Sequence, residues 1–349
     1  MRRKIPERKR EIDDNYKRKA GEVPGYKTAM KPEFLCIGFQ KCGTTTLYDI
    51  LKQHGKIVLT EGVKEPMFYR VPFLRTLLGA KWYENRYFGH CQPEDGQIAG
   101  EVNAGLSFRG CADKIGGDFS PETKLIFLMR DPADRCYSAY KYFLALGFLP
   151  CRTVWDDRKC GHAEAFDRYV KSILGSRFHR KCIMFRRLKY LCFSQGNYAR
   201  CIEEYLRYFP KENMKFVFFE EMIRDEQGTV EEILDFIQVE RDARINYDIK
   251  SNESVLCAIS PLRSKLIYAC QGLYYTLIDF LHLGRDPKLR YLIRKFFHRI
   301  RVFCIQRDTD TFRMLPQTRQ ILNHYYKEEV ARLEEIVGRK VPESWGRTV

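Results

Sequence analysis

The 349-residue chain has only 7 His and 3 Trp, and no two of its 13 cysteines stand in a Cys-x-x-Cys spacing. Zinc is held by Cys and His at short, regular intervals, so a zinc site is not expected, and no metal is required. A secretory leader is not expected from the start of this sequence, because Met1, Arg2, Arg3 and Lys4 are not followed by an apolar run. The nearest approach to a membrane span, Leu266 to Leu283, is interrupted by Gln271, Asp279 and His282. That stretch reads as a buried or interfacial helix, and any membrane anchor is expected outside or at the edge of this chain. Internal repeats and low-complexity linkers are absent, which favours a single domain.

Negative charge is also in short supply, with 45 Asp and Glu against 61 Lys and Arg, a formal net charge of +16. Such an excess calls for a polyanionic partner: nucleic acid, an anionic membrane, a phosphorylated nucleotide or an acidic polysaccharide. No nucleic-acid reading module is recognisable, so nucleic acid is the poorest of the four. With 44% hydrophobic and 14% aromatic residues the chain can build a large core, which excludes disordered, collagen-like and coiled-coil classes. Residues 1–31 carry 11 Lys and Arg against 5 Asp and Glu and read as a basic flexible arm. Residues 32–349 form the domain, within which 285–307 interleaves Arg285, Lys288, Arg290, Arg294, Lys295, Arg299, Arg301 and Arg307 with apolar residues. That segment reads as a basic helix that tracks an acidic acceptor, rests on a membrane surface, or is a solvated face over a packed stripe. Cys36 and Cys270 sit in apolar runs and read as buried hydrophobes, whereas Cys91, Cys111, Cys151, Cys160, Cys257 and Cys304 are the disulfide candidates.

Phe34–Gly38 is a short apolar run ending in Gly, followed by a small-residue turn and helical spacing over Thr45–His54. Lys56–Leu59, Lys124–Met129 and Lys215–Phe219 are further strand-like runs, with helices through Tyr142 and over Thr229–Ile237. Strands alternating with helices predict an α/β fold, a P-loop-like, mostly parallel sheet flanked by helices. In such sheets ligands bind where the strands end, and the polar clusters of this sequence fall there.

The first of these clusters is Gly38-Phe-Gln-Lys41-Cys42-Gly43-Thr44-Thr45-Thr46. Small residues let successive backbone N–H groups face one anion at a helix start, Lys41 adds a full charge and the threonines add hydroxyl donors. The nucleoside-triphosphate loop places its Lys after the last Gly; here Lys41 lies two residues before Gly43, which speaks against an ATPase or kinase. The second cluster is Arg130-Asp-Pro-Ala-Asp-Arg135-Cys-Tyr-Ser138, where an Arg fork at a strand end can grip phosphate.

Together the two clusters resemble the sulfotransferase superfamily. The resemblance implies 3′-phosphoadenosine-5′-phosphosulfate (PAPS) as cofactor, with its 5′ end held by Lys41, Cys42, Gly43, Thr44, Thr45 and Thr46. Arg130 and Ser138 are implied at its 3′-phosphate, and Arg313 in a late loop. Lys64-Glu65-Pro66 looks like the segment of Golgi glycosaminoglycan enzymes that carries a catalytic Glu. This implies Glu65 as general base, Lys41 as the residue that neutralises the leaving oxygen, and Lys64 and Glu101 on the substrate side. Within that group the Gln-x-Lys-Cys-Gly-Thr-Thr-x-Leu-Tyr-Asp loop is most similar to the N-acetylgalactosamine 4-sulfate 6-O-sulfotransferase type. That points to chondroitin or dermatan sulfate as acidic acceptor and to a Golgi-lumenal or secreted protein, with Asn252-Glu-Ser254 as a glycosylation sequon. Two departures concern the heparan pattern: Gly100-Glu101-Val102-Asn103-Ala104 lacks the acceptor-side Lys of Gly-Glu-Lys-Thr-Pro, and Thr311-Phe312-Arg313 replaces Lys-Gly-Arg. The alternatives are a heparan-type, other-alcohol or tyrosine sulfotransferase, and a non-catalytic polyanion-binding protein on the same fold.

Overall fold

In a computed structural model of the chain, residues 30–71, 73–91, 96–145, 162–174, 192–247, 256–257, 307–308 and 313–346 are described. Most of the arm, nearly all of 285–307, the Leu266–Leu283 stretch, the Asn252 sequon, Thr311-Phe312, Cys151, Cys160 and Cys304 lie outside those residues.

Five strands form one parallel sheet: β1 (Phe34–Cys36), β2 (Ile57–Leu59), β3 (Ile98–Val102), β4 (Lys124–Met129) and β5 (Met214–Phe218), in the order β2-β3-β1-β4-β5. Helices flank it: α1 (Thr44–Leu51), α2 (Leu74–Leu78), α3 (Ala80–Phe88), α4 (Cys111–Asp118), α5 (Pro132–Ala145), α6 (His162–Leu174), α7 (Tyr198–Leu206), α8 (Phe219–Arg224), α9 (Glu226–Phe236) and α10 (Pro316–Val337). Four of the strands are the apolar runs expected from the sequence, because a parallel sheet covered on both faces has no solvent side to encode. β5 ends at Phe218 rather than Phe219, which opens α8.

β3 was not foreseen, since Ile-Ala-Gly-Glu-Val carries a flexible residue and an acid where a core strand wants neither. Gly100 is required by its neighbour, because a Cβ there would lie 2.0 Å from the Phe34 ring on the adjoining strand. The chain leaves β1 toward one edge and returns to fill β4 and β5 on the other. The carboxyl ends of β1 and β4 therefore bracket the point where the winding reverses, the usual place for a ligand crevice.

A second apolar cluster joins α5, α6 and α10 through Tyr140, Phe166, Tyr169, Phe193, Leu322 and Tyr326. Disulfide bonding at two of the expected positions is not what the structure shows. Cys111 is a buried thiol whose Sγ lies 3.6 Å from the carbonyl oxygens of Tyr69 and Gly105, and the buried Cys91 Sγ lies 3.4 Å from Met30 Sδ. Both are packing residues in the main core, which the polar surroundings in sequence hid. Among the described residues, no helix is long and apolar enough to cross a membrane.

Candidate active site

The loop between β1 and α1 is pinned to β4 by Ile37 N–H to Ile126 O (2.7 Å) and Phe39 N–H to Leu128 O (3.1 Å). It then turns tightly, with Lys41 at φ 71° and Gly43 at φ 91°. A left-handed lysine is uncommon and costs energy, the kind of strain that folds retain at binding sites. Gly43 cannot carry a side chain, since its Cβ would meet the Phe219 ring at 2.7 Å. No side chain caps α1 and no acid lies in its first turn, so its leading amides are unclaimed and its dipole uncompensated.

Cations converge on this turn. Burial, and after it Arg130, Lys141 and Lys64, hold the Lys41 ammonium down to about 8; only the Cys42 thiol acts the other way. The Lys141 ammonium is likewise pushed down, by burial and by Arg130. The cations rest on aromatic faces rather than on carboxylates: Lys41 Nζ is 5.0 Å from the Tyr142 ring centroid, the Arg130 guanidinium 4.9 Å from Phe219 and Lys141 Nζ 4.7 Å from Tyr137. Lys64 Nζ donates to Thr45 Oγ1 (2.9 Å) and stands 3.5 Å from Thr44 Oγ1. A half-buried cluster of this kind is satisfied by a multiply charged anion. The donor set therefore fits a nucleotide bearing phosphates at both ends.

The Arg130 turn is rigidly framed. Asp131 Oδ1 accepts the Ala133 and Asp134 amides (2.8 and 3.0 Å), capping α5, while Glu220 accepts Asp131 N–H (2.8 Å) and Trp345 Nε1–H (2.9 Å). Tyr198 Oη donates to the Arg130 carbonyl (2.7 Å), fixing the strand end from the far side. Ser138 is buried one helical stretch further along α5, and Arg135 is fully buried, donating through Nη2 to Cys192 O with Nε and Nη1 unpartnered. Lys141 was not singled out from the sequence. The signal was its place one turn beyond Ser138 on the same helix, visible only once that helix was aimed at the loop.

Across from the cations, Glu65 is 43% exposed and its Oε1 lies 3.6 Å from Lys64 Nζ. Beneath it runs a buried chain of hydrogen bonds. Asn103 Nδ2 donates to Pro66 O (2.9 Å) and to Glu101 Oε1 (2.6 Å), Asn103 Oδ1 accepts Gly105 N–H (2.7 Å), and Tyr83 Oη donates to Glu101 Oε2. Burial lifts the Glu101 carboxyl to about 7 despite those two donors.

Several expected residues sit elsewhere than supposed. Glu101 has no exposed surface and both oxygens occupied, so it supports the Glu65 segment from within rather than touching an acceptor. Cys42 points into the core beside Tyr198, and its amide bonds Phe39 O (3.2 Å), so it is part of the turn's framework rather than a ligand-facing residue. Arg313 is exposed just ahead of α10, and among the described residues no hydrogen bond or ion pair ties it to the loop. Lys41, Gly43, Thr44, Thr45, Thr46, Lys64, Glu65, Arg130 and Ser138 all lie at the carboxyl edge of the sheet or on the helices that follow it.

An α/β protein with an anion-binding turn after its first strand, an arginine after the fourth and a carboxylate opposite is built as a group-transfer fold. Residues 31–252 match the family model described as a sulfotransferase domain, and the chain belongs to that family. It is 23% identical over 266 residues to the bifunctional heparan sulfate N-deacetylase/N-sulfotransferase of Drosophila melanogaster, covering 71% of this chain and 24% of that protein. It is 26% identical over 214 residues to human heparan sulfate glucosamine 3-O-sulfotransferase 6, covering 60% of this chain and 53% of the other. The chain thus spans between a quarter and about half of these curated relatives. A sulfotransferase structure from Alicyclobacillus acidocaldarius superposes with a TM-score of 0.53 at 21% identity over 91% of this chain and all of the other, the same fold.

Proposed function

We propose that the protein transfers a sulfuryl group from PAPS to an acceptor hydroxyl or amine on a glycosaminoglycan, with a heparan-type chain as the acceptor. The observation that carries the reaction is the cluster of Lys41, Arg130, Lys141 and Lys64, with the Glu65 carboxylate beside Lys64 at the sheet edge. Relatives at 23–28% identity are named for heparan sulfate. They favour a heparan-type acceptor over the chondroitin acceptor and galactosamine 6-O position suggested by the phosphate-loop resemblance.

PAPS, when bound, supplies an activated sulfuryl group on a phosphate leaving group. The residues of this chain provide the rest. Lys41, the threonines and the first amides of α1 would hold the 5′ end; Arg130, Ser138 and Lys141 would hold the 3′-phosphate. Glu65 would take the proton of the acceptor nucleophile, and Lys64, braced by Thr45, would hold that carboxylate in place. Lys41 would meet the negative charge that grows on the departing oxygen.

The test is transfer of labelled sulfuryl from PAPS to a panel of heparan- and chondroitin-type polysaccharides, with Glu65→Gln alongside. Glu65→Gln should lose about 10²–10⁴-fold in kcat, the usual worth of a general base. It should still bind 3′-phosphoadenosine 5′-phosphate (PAP) as the parent does. A Glu65→Gln protein that keeps most of its kcat would refute the base assignment, and labelling of chondroitin but not heparan would reverse the acceptor.

A further inference from the structure

Arg70, Arg109 and Lys114 gather around the turn that follows β3. The Arg70 guanidinium lies flat on Phe108, 4.2 Å from the ring centroid, with Met67 Sδ 3.8 Å from Nη1. Stacking holds the planar group in one orientation and leaves its outer N–H edge exposed. Arg109 is the exposed next residue along the chain, and Lys114 on α4 reaches back to the carbonyl of Tyr69, Arg70's neighbour, at 2.5 Å. Among the described residues, none of the three cations is in an ion pair. Both acids of α4 are already engaged: Asp113 accepts from Tyr208 Oη (2.8 Å), and Asp118 is held by Arg75 and Tyr69.

Asn103 fixes this cluster relative to the carboxylate. One fully buried side chain bonds Pro66 O, adjoining Glu65, and Gly105 N–H, at the start of the turn that presents Phe108. The two segments therefore keep a constant separation.

We infer that Arg70, Arg109 and Lys114 form an anion subsite for the acceptor, taking a sulfate or carboxylate on a sugar next to the one that reacts at Glu65. The inference rests on the transferase reading and makes Arg70 a specificity-determining residue. A pre-oriented guanidinium loses little freedom on meeting an oxyanion, so selectivity is concentrated there.

The experiment uses the full chain with PAP bound and measures its affinity for two probes, a heparan sulfate hexasaccharide and the same hexasaccharide chemically desulfated. Arg70→Met keeps the packing on Phe108 and removes the charge; Arg70→Glu reverses it. Loss of one charge-assisted contact should weaken the sulfated probe about tenfold in Arg70→Met, and charge reversal about a hundredfold in Arg70→Glu. PAP affinity and urea midpoint should stay at the parent's values. A drop for the sulfated probe alone assigns the subsite to sulfate, and an equal drop for both assigns it to the uronate carboxylate. Variants that bind both probes within about twofold of the parent, while the parent transfers sulfuryl normally, overturn the subsite alone. A parent protein that binds no PAP overturns the transferase reading, and the subsite with it.

Discussion

Glu101 offers a measurement that isolates one buried proton. Its carboxyl has no exposed surface, and burial moves it from the ordinary 4.5 to about 7, against the pull of the Tyr83 and Asn103 donors. The folded protein therefore holds this proton more tightly than the unfolded chain does. Stability from that preference is fully present below the unfolded value near 4.5 and is lost as the pH rises through about 7. A displacement of this size corresponds to about 3 kcal/mol, and full burial means that no solvent screening reduces it.

Glu101→Gln removes the titration and keeps the shape. The Gln carbonyl can accept from Asn103 Nδ2 while its amide donates to Tyr83 Oη; the Tyr83 hydroxyl proton then loses its acceptor, a cost that does not vary with pH and so cancels between the two conditions. Urea unfolding of parent and variant at pH 5 and pH 8 gives the difference directly, and every other titrating group cancels between the two proteins. The variant should gain about 2–3 kcal/mol relative to the parent on going from pH 5 to pH 8, since at pH 5 the unfolded chain has already lost part of this proton. A difference that stays constant within about 0.5 kcal/mol would show that Glu101 ionises normally inside the fold, and would refute the claim that burial outweighs its two donors.

Two further perturbations address the anion turn. Gly43→Ala forces a side chain into φ 91° and against Phe219 and Met222, at 2.7 and 2.8 Å, so stability should fall by about 2–4 kcal/mol from strain and overpacking. PAP affinity should fall with it, and parent-like urea and PAP titrations would show that the turn tolerates a Cβ. The Lys41 ammonium, held down to about 8, should return toward its ordinary value when an anion binds, so PAP binding above pH 8 should take up a proton and weaken by up to about tenfold per pH unit. Calorimetry at pH 9 in buffers of different ionisation enthalpy reads that uptake, and identical heats in all buffers would exclude it.

Local sequence carried the strands that are apolar runs. β1 and β2 are apolar throughout, and β4 and β5 hold one lysine each, Lys124 and Lys215, so each could be read without knowing its neighbours. β3 could not, because Gly100 makes sense only beneath the Phe34 ring, and Glu101 only beside Tyr83 and Asn103, residues far away in the chain. α10 escaped for a related reason: over 22 residues it buries only Thr318, Leu322, Tyr326 and Leu333, too sparse a stripe to stand out. At the site, Lys41, Gly43 and Arg130 were legible because anion binding imposes local rules on small residues and on cations at strand ends. Lys141 and Arg70 were not. Their importance depends on which helix faces the turn and which ring underlies the guanidinium.

The same distinction explains why the phosphate loop was a poor guide to the acceptor. On the proposed reading, Lys41 and Thr44 to Thr46 hold the nucleotide, so likeness in that loop reports on the nucleotide. On the same proposed reading, acceptor-facing positions lie on other segments, between Lys64 and Arg70 and around Phe108. The departure at Val102-Asn103 also changes meaning in three dimensions. Val102 is fully buried on β3 and Asn103 is 1% exposed, so neither position faces an acceptor in this chain. A missing lysine there removes a cation from a place where none could meet a sugar, and so does not count against a heparan-type chain. The positive charge that an acidic acceptor requires must then come from a neighbouring segment, and Arg70, stacked on Phe108 and tied to Glu65 through Asn103, is placed to supply it.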